Sequence, residues 1–151
     1  MNKDESLAFV KKYTADILSF FGENVEVEVS LREDVIEVNV PATQSSSILI
    51  GRNAETLRGF QFLLSTILRN KGAEIQRINL DIAGYKKQRA ERLAETVGVW
   101  VAAVRETGIP RTESLNAADR RIVHHVVSEH PDMKTFSEGE GKDRTITIAL
   151  K

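Results

Sequence analysis

The chain has 151 residues, 41% of them hydrophobic and 28% charged, with a formal net charge of -1. That composition supports one buried core or two small ones and excludes a chain disordered by composition. The absence of cysteine excludes a disulfide framework, a cysteine nucleophile and thiolate metal sites. The start, Met-Asn-Lys-Asp-Glu-Ser, has no signal-type apolar core, and no run reaches the roughly 18 apolar residues of a membrane span, so a soluble cytoplasmic protein without membrane insertion is expected.

From Ser6 to Phe21, apolar Leu7, Val10, Tyr13, Ile17 and Phe21 recur at helical spacing and Gly22 ends the pattern. Val25, Val27, Val29 and Leu31 then alternate with polar residues, as do Ile36, Val38 and Val40 after a turn at Arg32-Glu33-Asp34, which predicts a β-hairpin. Pro41 closes the second strand, and Ala42 to Leu49 is expected to hold a short helix. A longer helix is expected from Ala54 to about Asn70, with Leu57, Phe60, Leu64, Ile67 and Leu68 inward, and Ile78, Leu80 and Ile82 mark a third strand.

Between the two helices, Ile48 to Leu57 runs from an apolar stretch into the turn Gly51-Arg52-Asn53-Ala54. Glycine permits a backbone conformation or approach that a Cβ blocks, the first N–H groups of the next helix lack intrahelical acceptors, and Arg52 adds a full charge. Two uses of such a turn stay open on this segment alone: a plain helix-opening loop, or a phosphate cradle.

Tyr85 to Thr107 reads as one long helix with Leu93, Val97, Val101 and Val104 inward, ended by Gly108 and Pro110. Asn116 is an expected N-cap, with Asp119 three residues on as a variant capping box, for a helix from Ala117 to about Glu129. Strands are expected at Lys134 to Ser137 and Thr145 to Leu150, joined by a polar loop from Glu138 to Asp143.

Charge divides along the chain. Residues 1 to 40 hold four Lys or Arg against nine Asp or Glu, and the remainder 17 against 13. The basic residues cluster as Arg52 and Arg58 about the turn, Lys86, Lys87, Arg89 and Arg92 at the start of the long helix, then Arg111, Arg120 and Arg121, then Lys142 and Arg144. Local patches rather than net charge decide attraction for phosphate, and the plain alternative is a set of solvated helix faces.

On the helix from Ala117, Ile122, Val123, Val126 and Val127 form the inward side. Arg120 and His124 lie at the flank of that stripe, whereas Arg121 and His125 lie near its exposed opposite. Each pair is Arg-x-x-x-His, one turn apart, and can hold a phosphate and stack on a base. A histidine at such a boundary can equally be one satisfied by a structural hydrogen bond.

Other chemistry fails on spacing. A P-loop ending at Lys142 requires glycine at Phe136 and a hydroxyl residue at Asp143, no Gly-x-Ser-x-Gly elbow exists, and His124, His125 and His130 lack metal-ligand spacing. Trp100, beside the apolar face of the long helix, is expected to pack rather than to stack on a base. No catalytic residue, metal site or cofactor is expected.

The order helix, strand, strand, short helix, glycine turn, helix, strand, with Ile50-Gly51-Arg52-Asn53-Ala54-Glu55-Thr56-Leu57 at the turn, resembles a type II KH domain and its Gly-x-x-Gly loop. Asp119-Arg120-Arg121-Ile122-Val123-His124, followed by Thr135-x-Ser137-x-Gly139 and Arg144-Thr145-Ile146, resembles the Arg-x-x-x-His single-strand-binding domain, written R-3-H below. The two in succession are similar to the bacterial Jag family from about residue 5 to the end. The resemblance implies an α+β protein: residues 1–83 a type II KH domain, a three-stranded sheet with helices on one face, and residues 84–151 a small α+β R-3-H domain beginning with a long helix.

The implied function is non-enzymatic binding of single-stranded RNA, with single-stranded DNA as a related ligand, in a post-transcriptional or cell-envelope-linked regulatory role. Ile50, Gly51, Arg52, Asn53, Ala54 and Arg58 of the KH module and Arg120, Arg121, His124, Lys142 and Arg144 of the second are the implied contacts, the resemblance selecting Arg120 and His124 over Arg121 and His125. The alternative is an adaptor that pairs through its KH domain with another KH-domain protein or with itself. Two departures are visible: Ala54 stands where the loop usually ends in glycine, expected to open the helix without strain while its methyl crowds a phosphate, and the sequence begins at the KH helix, so contacts of the separate N-terminal domain of many Jag proteins are not carried over.

Overall fold

A computed structural model describes residues 1–151 as two compact units, Met1–Lys86 and Lys87–Lys151. In the first, helix α1 spans Lys3–Ser19, strands β1 and β2 span Glu28–Arg32 and Val35–Val40, helices α2 and α3 span Ser46–Ile50 and Glu55–Asn70, and strand β3 spans Arg77–Ile82. The sheet order is β1-β2-β3. β1 and β2 form an antiparallel hairpin across the two-residue turn Glu33-Asp34, both at positive φ, while β3 returns parallel to β2 after the α2–α3 crossover.

Alternation along the strands puts Ile36, Val38, Val40, Ile78, Leu80 and Ile82 on one sheet face, and they share a core with Leu57, Leu64 and Leu68 of α3 and Val10 and Leu18 of α1. This is the helix-on-one-face α+β arrangement expected of the type II KH fold. α1 begins earlier than its apolar spacing suggested, because Asn2 and Glu5 form a reciprocal capping box, the Glu5 N–H donating to Asn2 Oδ1 and the Asn2 N–H to Glu5 Oε2, both at 2.8 Å. Its fully buried stripe is Ser6, Val10, Thr14 and Leu18, with Leu7, Tyr13 and Ile17 at its sides and Phe21 exposed. The expected stripe was therefore rotated, with two small polar residues, Ser6 and Thr14, fully buried within it.

The second unit contains most of helix α4, Tyr85–Thr107, then strand β4 (Arg111–Ser114), helix α5 (Ala117–Ser128) and strands β5 (Met133–Glu138) and β6 (Thr145–Leu150). β6 lies between β4 and β5 and pairs antiparallel with both. Val97, Val101 and Val104 of α4, Val123 and Val127 of α5, and Met133, Ile146 and Ile148 of the sheet form the core. β4 was not foreseen, since Arg-Thr-Glu-Ser carries no apolar alternation. It is an edge strand held by its ladder and by the Thr112 and Thr147 hydroxyls, 2.9 Å apart.

Asn116 caps α5 as expected, accepting the Asp119 N–H at 2.9 Å. The reciprocal half of a capping box is replaced: Asp119, 4% exposed, turns its carboxylate to Arg89, whose guanidinium donates two hydrogen bonds at 2.7 and 2.9 Å. Trp100 packs at the side of this core with the Arg111 guanidinium 4.5 Å from its ring centroid.

Candidate nucleic-acid interface

In the first unit, α2 ends where the Gly51 N–H donates to the Ser47 carbonyl at 2.9 Å, and one 3-10 turn, Arg52–Ala54, leads into α3. Gly51 adopts φ 76°, ψ 176°, and a Cβ built there would lie 2.3 Å from Thr56 Oγ1 and 2.9 Å from the Thr56 backbone nitrogen. Glycine is thus required at this corner by both conformation and space.

Asn53 and Ala54 follow in the left-handed region, at φ 55° and 58°. This overturns the expectation that Ala54 opens the helix without strain. Its methyl is also not exposed, as that expectation required, since Ala54 is buried in the core of the first unit. The strain is held by that burial, and the small side chain faces inward instead of outward. Arg52 and Asn53 are the exposed members of the turn, Ile50 packs half-buried against the core, and the Arg58 guanidinium donates to the Asn53 carbonyl at 2.6 Å, which ties the loop to the first turns of α3. No side chain caps α3, and at its start the Glu55 N–H donates to the Arg52 carbonyl and the Ala54 N–H to the Gly51 carbonyl.

In the second unit, α5 and β5 enclose a groove of about 450 Å³ lined by Arg120, Arg121, His124, His125 and Ser128 from the helix and Thr135, Phe136, Ser137 and Ile146 from the sheet. Ile146, a core residue, supplies the apolar part of that lining, whereas Phe136, 43% exposed, turns its side chain to the sheet face opposite Thr135 and Ser137. Both Arg-x-x-x-His pairs therefore reach one site. Arg121 and His125 are exposed as expected, yet they also line the groove, because β5 runs alongside α5 and widens the usable face beyond one flank.

The pairs differ in how they are held. Arg120 is half-buried and donates from Nη1 to the Leu115 carbonyl, and His124 Nδ1 lies 2.6 Å from the Thr135 hydroxyl oxygen. His125 is solvent-exposed with Glu129 at 3.8 Å. Lys142 and Arg144 do not line the groove; Lys142 sits in the 3-10 turn Gly141–Asp143, and Arg144 donates to the Gly139 carbonyl at 3.2 Å within the same loop.

Of the basic cluster on α4, two members are engaged elsewhere. Arg89 holds Asp119, and Lys86 Nζ donates to Gln61 Oε1 at 2.6 Å and Asn79 Oδ1 at 2.8 Å. Burial pulls the Lys86 ammonium below the usual lysine range, with Asp81 and Glu37 opposing that shift. Phe136, Thr135, Ser137 and Ser128 were not foreseen as groove walls; the Thr-x-Ser spacing in β5, beside a helix carrying two Arg-x-x-x-His pairs, is the signal that could have found them.

Elsewhere, no three His, Asp or Glu residues gather as a metal site, and no helix is long and apolar enough to cross a membrane. α3 also presents adjacent exposed apolar side chains, Phe62 at 69% and Leu63 at 43%.

A family model described as the R-3-H domain matches residues 100–150. The chain is 28% identical over 152 residues to an RNA-binding protein KhpB of Clostridium symbiosum, covering 99% of this chain and 66% of the relative. It is 23% identical to the RNA-binding proteins KhpB of Lactiplantibacillus plantarum, over 92% of this chain and 43% of that protein, and of Streptococcus pneumoniae, over 83% and 40%. The resemblance to the Jag family thus extends along nearly the whole sequence, while the chain spans only part of each relative's length.

Proposed function

We propose that this chain is a non-enzymatic binder of single-stranded RNA, each module contributing a phosphate-attracting surface. The observation that carries this reading is the α5–β5 groove, where two arginines and two histidines line one space beside the Thr135 and Ser137 hydroxyls and apolar Ile146. Guanidinium and imidazole donors suit phosphate oxygens, and the planar faces of the same groups suit an unstacked base, which single strands offer and duplexes do not. The relatives named RNA-binding proteins support the same ligand class.

In the first module, taken as residues 1–83, the turn Gly51 to Ala54 would contact the phosphate backbone chiefly through the exposed Arg52 and Asn53, since the Gly51 and Ala54 N–H groups donate to the Ser47 and Gly51 carbonyls, with Ile50 at the side of the base groove and Arg58 acting through the loop it braces. Residues 84–151 form the second module, where Arg120 and His124 are the principal contacts, Arg121 adds charge within the groove, and Lys142 and Arg144 add it from the neighbouring loop.

A gel shift with short single-stranded RNA at low and high salt tests this: binding at low salt that weakens steeply with salt is expected. No shift at low salt refutes it. Arg52→Asp with Asn53→Asp reverses charge in an exposed turn, so it should weaken binding without unfolding the chain; unchanged affinity would remove the KH loop from the site. The same probe as single-stranded DNA measures how far the ligand class extends.

A second reading, an adaptor pairing through the KH module with another KH protein or a second copy, is favoured by the Phe62–Leu63 surface on α3. Pull-down from nuclease-treated lysate distinguishes it, since a partner retained without RNA and released by Leu63→Asp would support pairing.

A further inference from the structure

Resting on the proposed role of the groove, we infer that Thr135 is a positioning residue for His124: its hydroxyl donates to Nδ1, fixing the ring in the tautomer that presents Nε2–H as a donor. A neutral imidazole has one donor and one acceptor nitrogen, and the hydrogen bond made by one decides the role of the other. Thr135 Oγ1 and His124 Nδ1 are 2.6 Å apart, bridging β5 and α5 across the groove wall. Nε2 is therefore the nitrogen left for a ligand. If Nδ1–H donated to Thr135 instead, a neutral His124 would turn a lone pair toward the phosphate oxygens that Arg120 and Arg121 attract, and the two sets of groups would conflict.

The assignment also separates the two pairs on α5. Arg120 is anchored on the Leu115 carbonyl and His124 on Thr135, so both meet a ligand with side-chain freedom already restricted. His125, 79% exposed at its side chain and with Glu129 at 3.8 Å, has no such brace in the sheet.

The test uses the full chain with nitrogen-15 in its histidines, at about pH 8, above the ordinary imidazole range. Long-range proton–nitrogen correlation should show His124 with bare Nδ1 and protonated Nε2. Thr135→Ser should retain that signature and Thr135→Val should lose it, while His125 stays unchanged in all three. A dominant Nδ1–H form in the parent chain, or the same spectrum in Thr135→Val, overturns the inference.

Affinity for a short single-stranded RNA gives the second readout. Thr135→Val should weaken binding about threefold to tenfold, the range for one hydrogen bond, and Thr135→Ser should restore it. In His124→Ala, adding Thr135→Val should cause no further loss, because the threonine acts through the imidazole. Additive losses overturn the positioning role. A chain that shows the tautomer pattern but binds no RNA keeps the Thr135 assignment and refutes the function proposed for the groove, so the two failures are distinct.

Discussion

Gly51→Ala is the sharpest probe of the turn between α2 and α3. At φ 76°, ψ 176° the backbone lies where only glycine is at ease, which costs an alanine about 1 to 3 kcal/mol. The added Cβ would sit 2.3 Å from Thr56 Oγ1, 2.8 Å from Thr56 Cβ and 2.9 Å from the Thr56 nitrogen. Relieving that overlap by shifting side chain and backbone adds about 1 to 3 kcal/mol. The smaller entropy of the unfolded alanine chain returns about 0.4 to 1 kcal/mol. The net expectation is a loss of about 1 to 6 kcal/mol. Amide hydrogen exchange in α3 and β3, the elements that flank the turn and its core, reads this locally, with urea unfolding as a check. Thr56→Ala in the same chain removes the Oγ1 contact but not the contacts to Cβ and the backbone nitrogen, so it should recover only part of the loss. A Gly51→Ala chain within about 0.5 kcal/mol of the parent would refute the reasoning, because a loss so small is what an unconstrained surface site gives.

Three further outcomes follow from particular contacts. Ala54→Gly relieves about 1 to 2 kcal/mol of left-handed strain but loses about 0.8 kcal/mol of methyl burial and about 0.4 to 1 kcal/mol of unfolded-chain advantage, so urea unfolding should move by less than about 1 kcal/mol. Gel-shift affinity for RNA should stay the same, since the buried methyl does not face the ligand side; a clear gain would restore the crowding argument. Arg89→Ala should cost about 2 kcal/mol in thermal or urea unfolding, the partial exposure of the arginine moderating the cost of a buried, unpaired Asp119 carboxylate, whereas Lys12→Ala, in an exposed pair, should cost less than about 0.5 kcal/mol. Asp132 is held down to about 2, first by its hydrogen bond from Arg105, so its contribution to stability is present above the unfolded carboxylate range near pH 4 and is lost as pH falls through about 2. Arg105→Gln should move the Asp132 carboxyl titration upward by NMR; an unchanged titration would show that the pair does not cause the shift.

What the sequence made legible was the part governed by period. Ile36, Val38 and Val40, Ile78, Leu80 and Ile82, and the valines of α4 announce their elements because burial on one face imposes a repeat of two or of about 3.6 residues. β4 was invisible for the complementary reason: Arg111–Ser114 buries little, and an edge strand needs only a partner ladder, which Thr145–Leu150 supplies from more than thirty residues away. The same limit hid the Arg89–Asp119 pair, since residues 30 apart carry no local pattern that joins them.

The turn and the groove mark a second boundary of legibility. The glycine turn at Gly51 was legible in the sequence, because a glycine between an apolar run and a helix start marks backbone that other residues resist. Ala54 could not, since alanine carries no preference for left-handed backbone and the core that compels it there is built from residues distant in the chain, among them Val10, Val38 and Leu80. On α5 the helical wheel separated Arg120 and His124 from Arg121 and His125 by about 100° per residue, which is correct for an isolated helix. A groove is set by the neighbour as much as by the helix. With β5 alongside, all four side chains border one space, and what distinguishes them is support from outside the helix: Leu115 for Arg120 and Thr135 for His124. A pair motif on one helix therefore identifies which residues can meet a ligand, and contacts from outside the helix, the Leu115 carbonyl and the Thr135 hydroxyl, decide which of them meet it already held in place.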